Sequence, residues 1–348
     1  GKLPVEDKPQ DYNRIDYRCV RGLVNEVTDD NFTVNIDQDT TEKQLTIRLK
    51  PHQSYLKTLL HAGAQVNLID VDSAQEASLI VYEPDFLLDI SSIARCFTDY
   101  GHHPFSYLVN AMLPPANSQA ILLGNFAGTA LDDIINGNGR YLWQETFKKN
   151  FKDKALEYCT CDDLNRKEDF RAAALRQTQN IQDIVTELFG DLHSDPKKPH
   201  KTGSFSREKA VLEPSFVCEQ LGLQGRADLM TTDFKLLVEQ KAGSNYNIQS
   251  QKPNEYGSFQ KEEHYVQLLL YYGVLRQNFR ISSHNINMRL LYSKYPLPGG
   301  LVVVNFYQKL FREAIRLRNR IVANEFSFAI DGFDNITDVL SVNTINEN

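Results

Sequence analysis

Three polar residues, Asp228, Glu239 and Lys241, border short apolar runs in the stretch GRADLMTTDFKLLVEQKAG, residues 225–243. The pattern predicts two strands joined by a turn, which brings both carboxylates to one edge of a sheet. Because residues i and i+2 of a strand share a face, Lys241 should lie beside Glu239 while the side chain of Gln240 points away. Carboxylate oxygens, together with the backbone carbonyl of Gln240, are ligands that Mg²⁺ and Mn²⁺ prefer.

Such a cluster is suited to hydrolysis of a phosphodiester bond. A divalent cation held by Asp228 and Glu239 would lower the pKa of a bound water and neutralise charge that builds on the phosphate. The ammonium of Lys241 would orient that water or stabilise the developing charge. The alternative is a solvated strand on which opposite charges form a weak surface pair. The apolar run FKLLV before Glu239 favours the site, because it indicates a buried strand that ends in charges.

The elements that must position these residues lie in residues 86–334. A largely helical region, 140–192, precedes the strand-like runs KAVLEPSFVCEQ, LQGRADLMTT and FKLLVEQK. An apolar helix, KEEHYVQLLLYYGVLRQNF, follows them, and then come NMRLLYSK, GGLVVVNFY and the basic helix QKLFREAIRLRNRIVANEF. This order predicts an α/β fold in which a mixed central sheet is flanked by helices.

Residues 1–85 have a different pattern. Short runs rich in β-branched residues, YRCVRGLVNEV, NFTVNI, KQLTIRL and AQVNLIDVD, are separated by Asp, Asn and Gly turns. They predict a small β-rich N-terminal domain, and one interpretation is an OB-like barrel. A β-rich appendage that binds no ligand is the other interpretation, since the pattern identifies no binding face. Residues 335–348 are predicted to form a polar tail.

The composition is that of an ordinary globular protein, with 41% hydrophobic and 24% charged residues and a net charge of −7. No apolar run approaches the length of a membrane span, and the polar N-terminus has no signal-peptide core. We therefore expect a cytoplasmic protein with no membrane partner. The acidic balance argues mildly against a nucleic-acid partner, although a local basic groove can coexist with an acidic bulk. Five scattered cysteines argue against a disulfide framework.

Taken in order, the motifs resemble the PD-(D/E)xK nuclease superfamily, in particular its RecB-like branch. That branch includes the nuclease domains of the replication flap-processing helicase–nuclease and the CRISPR-adaptation exonucleases. Its pattern of G-[RK]-x-D, E-x-K and Q-x-x-x-Y matches residues 225–228, 239–241 and 267–271. The resemblance implies a restriction-endonuclease-like core that hydrolyses DNA, single-stranded or flapped, in repair, recombination or replication.

The resemblance also implies roles for individual residues. Asp228, Glu239 and Lys241 would be catalytic, and Gln267 and Tyr271 would position the attacking water or the DNA strand. For Gln267 and Tyr271, a hydrogen-bonded pair in the core is the alternative.

Two departures from the branch concern metals. Where the branch has a His after a Gly-[ST] turn, the stretch GTALDD has Asp132, whose carboxylate also ligates Mg²⁺ or Mn²⁺. The implied metal ligands are thus Asp132, Asp228, Glu239 and the carbonyl of Gln240.

The second departure concerns the iron–sulfur cluster that many members hold with four cysteines. No cysteine follows Cys218, so no iron–sulfur cluster is predicted and Cys96 is expected to be an ordinary packed residue. The sequence also has no G-x-x-x-x-G-K-[ST], so a helicase domain would belong to a longer protein or to another subunit.

Several other polar residues have two interpretations each. His264 either contacts substrate phosphate or packs on the sheet. The last helix, with Arg312, Arg316, Arg318 and Arg320, either binds phosphates or presents a solvated face. The basic residues Lys197, Lys198, Lys201 and Arg207 either border a DNA channel or belong to a linker.

The leading hypothesis is a divalent-metal-dependent deoxyribonuclease whose partner is single-stranded or flapped DNA. The alternative is a catalytically silent nucleic-acid-binding or scaffolding module on the same fold. A third hypothesis is an unrelated β-rich binding protein in which the E-x-K spacing is accidental.

Overall fold

The computed structural model describes residues 15–38, 40, 42–98, 101–137, 141–190, 203–245, 260–281 and 286–332. The predicted polar tail, 335–348, and Lys197, Lys198 and Lys201 lie outside these residues. Among the helices that are described, none combines the length and apolarity that a membrane crossing requires.

The first five strands form one antiparallel sheet: β1 (Cys19–Val27), β2 (Asn31–Ile36), β3 (Gln44–Arg48), β4 (Gln65–Val71) and β5 (Ala77–Tyr82). A 3₁₀ helix, Pro51–Thr58, connects β3 to β4. The strand order is β3-β2-β1-β4-β5, and a parallel bridge between Arg48 and Glu76 joins the two edges. Buried and exposed residues alternate along β2 and β3, because one face of the sheet packs into the core.

A short connecting region follows this sheet. It contains β6 (Leu88–Asp89), α1 (Ile90–Ala94), β7 (Phe97–Thr98), β8 (Gly101–His102) and α2 (Phe105–Met112). The carboxylate of Asp89 accepts a hydrogen bond from the backbone N–H of Ser92, and this cap starts α1.

The helical layer contains α3 (Gln119–Asn136), α4 (Trp143–Asp153), α5 (Ala155–Cys159) and α6 (Phe170–Phe189). Ser118 caps α3 and Asp169 caps α6 through their side-chain oxygens. Within the described residues 141–190, the predicted helical region therefore holds three separate helices.

The rest of the chain builds the central sheet and the helices behind it. A 3₁₀ turn, Arg207–Lys209, leads into β9 (Ala210–Leu212), β10 (Ser215–Cys218), β11 (Leu223–Arg226), β12 (Leu229–Thr231) and β13 (Leu236–Lys241). Then come α7 (Glu262–Phe279), β14 (Asn287–Tyr292), β15 (Leu301–Val304) and α8 (Gln308–Asp331).

The central sheet has the order β15-β14-β13-β12-β9. Strands β13 and β14 are parallel, and the other pairs are antiparallel. Strands β10, β11 and β6 form a small second sheet, and β7 pairs with β8. The fold is thus mixed α/β, with a mixed sheet and helices as the sequence predicts.

Both faces of the central sheet are buried, and successive residues serve opposite faces. Leu236, Val238 and Leu291 pack with apolar residues of α3 and α6. Leu237 and Leu290 pack instead with apolar residues of α7 and α8. Charged side chains at the end of β13 are therefore assigned to the α7 face or the α6 face by their position in the strand.

Arg318 of α8 joins the N-terminal sheet to the rest of the chain. Its side chain is fully buried, and its guanidinium donates hydrogen bonds to the carbonyls of Tyr82, Glu83, Phe86 and Gly222. The prediction of a solvated helix face is wrong for this residue, because backbone carbonyls from two distant segments converge on it. No periodic pattern in α8 signals that convergence.

The N-terminal sheet also shares its hydrophobic core with the rest of the protein. Val20, Phe32 and Val66 belong to the same contiguous core as Leu269 of α7 and Ile315 of α8. The described residues between 15 and 85, which belong to the predicted N-terminal domain, thus pack directly on helices that follow.

Candidate active site

The hairpin of β12 and β13 brings two carboxylates together. Leu229 lies opposite Val238 in the antiparallel register, so the next pair toward the open end is Asp228 and Glu239. The Asp228 Oδ2 atom accepts a hydrogen bond of 2.6 Å from the backbone N–H of Gln240. This bond fixes the Asp228 carboxylate at the end of the hairpin.

Glu239, Lys241 and Gln267 form a closed triangle of hydrogen bonds on the α7 face. The Lys241 Nζ atom lies 3.0 Å from Glu239 Oε1 and 2.9 Å from Gln267 Oε1. The Gln267 amide donates a hydrogen bond of 2.6 Å to the same Glu239 oxygen. The predicted pairing of Glu239 with Lys241 on one strand face is therefore present, and Gln267 reaches it from α7.

The side chain of Gln240 points to the opposite face, as the strand period predicts. Its amide donates a hydrogen bond of 3.1 Å to the hydroxyl of Ser293, which in turn donates one of 2.7 Å to Gln177 of α6. The Gln177 amide then donates to the carbonyl of Ala242 at 3.3 Å. This buried network holds the C-terminal ends of β13 and β14 together beneath the cluster.

Tyr271 lies one turn after Gln267 on α7, and only 2% of its surface is exposed. Its hydroxyl donates a hydrogen bond of 2.7 Å to the backbone carbonyl of Arg226, two residues before Asp228. A Cβ atom at Gly225 would lie 3.0 Å from that hydroxyl, so this position favours a glycine. Tyr271 thus holds the backbone of the segment that carries Asp228.

Burial and mutual repulsion dominate the electrostatics of the two carboxylates. Only 3% of Glu239 is exposed, and burial followed by the charge of Asp228 raises its pKa to about 8, although Lys241 opposes this shift. Burial also raises the pKa of Asp228, against the opposing hydrogen bond from the Gln240 N–H. The second oxygen of Glu239, Oε2, is buried and has no hydrogen-bond partner.

Asp132 of α3 faces the same group of charges. Burial raises its pKa to about 6, and the negative charges of Glu213 and Asp228 add to the shift. The neighbouring Asp133 instead accepts a hydrogen bond of 2.5 Å from Thr146. Asp132 therefore interacts electrostatically with Asp228, whereas the Asp133 carboxylate is bound by Thr146.

Comparisons with known proteins leave the family open. No protein-family model matches the chain, and no curated protein matches it. Among solved structures, a crystal structure of a "Putative exonuclease" from Eubacterium rectale is similar over 71% of this chain and 83% of that chain, with 12% identity and a TM-score of 0.41. Function therefore has to be inferred from the geometry of the site itself.

The sequence predictions omitted Glu213 and the ion pair that it forms. Glu213 lies between β9 and β10, its backbone N–H donates a 2.9 Å hydrogen bond to the Asp228 carbonyl, and its carboxylate lies 3.2 Å from the Arg226 guanidinium. The signal was available, because Glu213 ends an apolar run just as Glu239 does. Its main-chain contact with Asp228 continues the pairing of β9 with β12. Sequence periodicity does not encode which strands pair.

Other predicted residues have structural roles. The Nδ1 atom of His264 lies 2.9 Å from the Tyr292 hydroxyl, so His264 packs on the sheet. Arg207 donates hydrogen bonds to the carbonyls of Ile134 and Ile135 at the end of α3. These bonds tie Arg207 to the C-terminal turn of α3, and the two interpretations of the basic segment stay predictions.

Two further predictions concern Cys96 and the metal. Cys96 is fully buried, and its thiol lies 3.4 Å from the carbonyl of Ser92, as expected for a packed residue. Within the described part of the chain, no three His, Cys, Asp or Glu side chains are already arranged as a metal site. The metal ligands Asp132, Asp228, Glu239 and Gln240 stay a prediction.

Proposed function

We propose that the protein is a divalent-metal-dependent nuclease that hydrolyses phosphodiester bonds of DNA. The observation that carries the proposal is the hydrogen-bonded cluster of Glu239, Lys241 and Gln267 beside Asp228. A buried carboxylate pair joined to one ammonium is costly for a purely structural core, because two buried charges of one sign repel each other. The arrangement is better suited to binding a cation and a phosphate.

The chemistry of the donor groups fits Mg²⁺ or Mn²⁺. The oxygens of Asp132, Asp228 and Glu239 would hold the ion, with the backbone carbonyl of Gln240, and all are hard ligands of the kind that these ions prefer. The buried, unpartnered Oε2 atom of Glu239 supports this assignment, because a bound cation would satisfy it. When bound, such an ion lowers the pKa of a coordinated water and offsets charge on the phosphate.

The protein's own residues would orient the reacting groups. Two N–H bonds of the Lys241 ammonium serve Glu239 and Gln267, which leaves one donor for the attacking water or a phosphate oxygen. Gln267 fixes the direction of that donor, because it binds both charged groups of the pair. Tyr271 supports Asp228 indirectly through the Arg226 carbonyl.

The finer parts of the proposal concern fold family and substrate. We infer a RecB-like member of the PD-(D/E)xK superfamily that acts on single-stranded or flapped DNA in repair, recombination or replication. It would act alone or as the N-terminal part of a larger helicase–nuclease. An OB-like N-terminal domain is supported by the order of strands β1–β5 and by the bridge that joins the edges of their sheet.

The test is cleavage of end-labelled DNA, single-stranded and duplex, with Mg²⁺, Mn²⁺ or a chelator. We expect metal-dependent cleavage that is abolished in Glu239→Gln and in Lys241→Met. The matched control, Glu219→Gln, changes an exposed carboxylate outside the cluster and should cleave normally. Retention of DNA in a gel without any cleavage would support the silent binding module instead.

A further inference from the structure

A cavity with polar walls lies where the N-terminal sheet meets α7 and α8. Its volume is about 170 Å³. Its polar walls include Arg276 of α7, Arg312 of α8 and Gln308, with Asp70 and Ser78 from the N-terminal sheet. Arg276 is nine residues after Gln267 along α7, or roughly 14 Å along the helix axis. The cavity is therefore separate from the candidate active site.

The two arginines of this cavity have unused hydrogen-bond donors. The Nε atoms of Arg276 and Arg312 are both buried, and neither has a hydrogen-bond partner. Neither guanidinium forms an ion pair with any carboxylate in the described part of the chain. A buried donor without a partner destabilises the folded protein, so two such donors on residues that line one cavity favour an acceptor that binds there.

The charges that line the cavity favour an anion. Asp70 is the acidic residue of the lining; it is exposed at the rim and accepts a hydrogen bond of 3.4 Å from the Ser78 hydroxyl. The two guanidinium groups outweigh this carboxylate. Guanidinium groups present parallel N–H donors that match two oxygens of a phosphate, which makes a phosphate group the best-matched ligand.

Two further cavities each share one of these arginines. A cavity of about 520 Å³ shares Arg276 and is lined also by Arg289 of β14. A smaller cavity shares Arg312 and is lined by Arg316 and by its ion-pair partner Glu313. We call this series of cavities the arginine groove. A row of cations suits a chain of phosphates better than a single free phosphate.

We propose that the arginine groove binds the phosphate backbone of a single nucleic-acid strand, with Arg276 and Arg312 as its central contacts. The inference rests on the proposed function for the identity of the strand, because the strand would be the DNA substrate held away from the reacting bond. Binding to the groove needs no cleavage, so the two proposals fail in distinguishable ways.

The test measures fluorescence anisotropy of a labelled single-stranded oligonucleotide in the presence of a chelator, over a range of salt concentrations. The Arg276→Gln/Arg312→Gln double variant should bind at least roughly tenfold more weakly. The slope of log affinity against log salt should become shallower by about 1.4, since each lost phosphate contact contributes about 0.7. An Arg18→Gln/Arg166→Gln control removes the same charge from exposed positions outside the groove and should bind normally.

Three further arms decide the outcome. The single variants Arg276→Gln and Arg312→Gln each remove one contact and should each make the slope shallower by about 0.7, which tests the groove if the glutamine pair does not fold. Glu219→Gln, the exposed control outside the cluster, should bind the strand like the wild type, whether or not the wild type cleaves DNA. Unchanged oligonucleotide binding in the glutamine pair would overturn the proposal. This holds even if the groove of the wild type binds inorganic phosphate.

Discussion

Replacing Gln267 by methionine removes the residue that links the two charged groups of the candidate site. The two side chains are similar in size, so the change creates little cavity. It removes the 2.6 Å donor to Glu239 and the 2.9 Å acceptor for Lys241. A hydrogen bond to a charged group contributes about 1.5–3 kcal/mol. If the bond to Lys241 orients the ammonium for reaction, its loss lowers kcat by roughly 10- to 150-fold.

The assay compares kcat and KM for single-strand cleavage with Mn²⁺, alongside circular dichroism as a check on folding. We expect kcat to fall while KM changes by less than about twofold, because Gln267 is buried and only 8% of its surface is exposed. Gln224→Met makes the same chemical change at an exposed position of β11 and should leave kcat unaltered. A Gln267→Met protein that folds and keeps the wild-type kcat would refute the positioning role.

Three other changes test the structure more widely. Arg318→Met leaves the carbonyls of two segments without their donor, and should lower the free energy of unfolding in urea by about 3–5 kcal/mol. Burial lowers the folded-state pKa of His264 to about 2, so the unfolded chain binds a proton that the folded chain excludes. Stability should therefore fall below about pH 6.5, by up to about 2 kcal/mol at pH 5, and less steeply in His264→Gln. Burial raises the pKa of the Cys96 thiol to about 12, so iodoacetamide should label exposed Cys159 first, as read by peptide mass spectrometry.

Each of these expectations has a control. Arg166→Met removes an exposed arginine and should change unfolding by less than about 0.5 kcal/mol. For His264→Gln the wild type is the control, and an equal slope of stability against pH in the two proteins would contradict the buried-histidine account. Labelling of Cys96 before Cys159 in the folded protein would contradict its burial.

The local arrangement of the site could be predicted from the sequence because two simple rules define it. A strand period of two places Glu239 and Lys241 on one face and Gln240 on the other, and a tight hairpin brings Asp228 opposite Glu239. The helical period places Gln267 and Tyr271 on one side of α7. These contacts span short stretches of chain, so their geometry follows from secondary structure alone.

Contacts between distant segments could not be predicted in this way. Arg318 reads as one charge on a basic helix, and its burial depends on carbonyls near residues 82–86 and 222. Arg207 lies in a polar stretch, and its partners are the last carbonyls of α3. In both residues the sequence specifies a cation, but tertiary packing supplies the acceptor. For Glu213 the end of its apolar run could be read from the sequence, but the pairing of β9 with β12, which brings it to Asp228, could not.

The arginine that joins the N-terminal sheet to α8 has a consequence for folding and for protein engineering. The Arg318 side chain can be buried only after it has contacted carbonyls more than 200 residues away in the chain. We therefore expect the N-terminal sheet and the rest of the protein to unfold in one cooperative transition. A fragment that starts after residue 85 would expose to solvent the apolar residues of α7 and α8 that share a core with the N-terminal sheet. Exchanging the N-terminal sheet with that of another protein would succeed only if the incoming strands present carbonyls at the same points around the guanidinium.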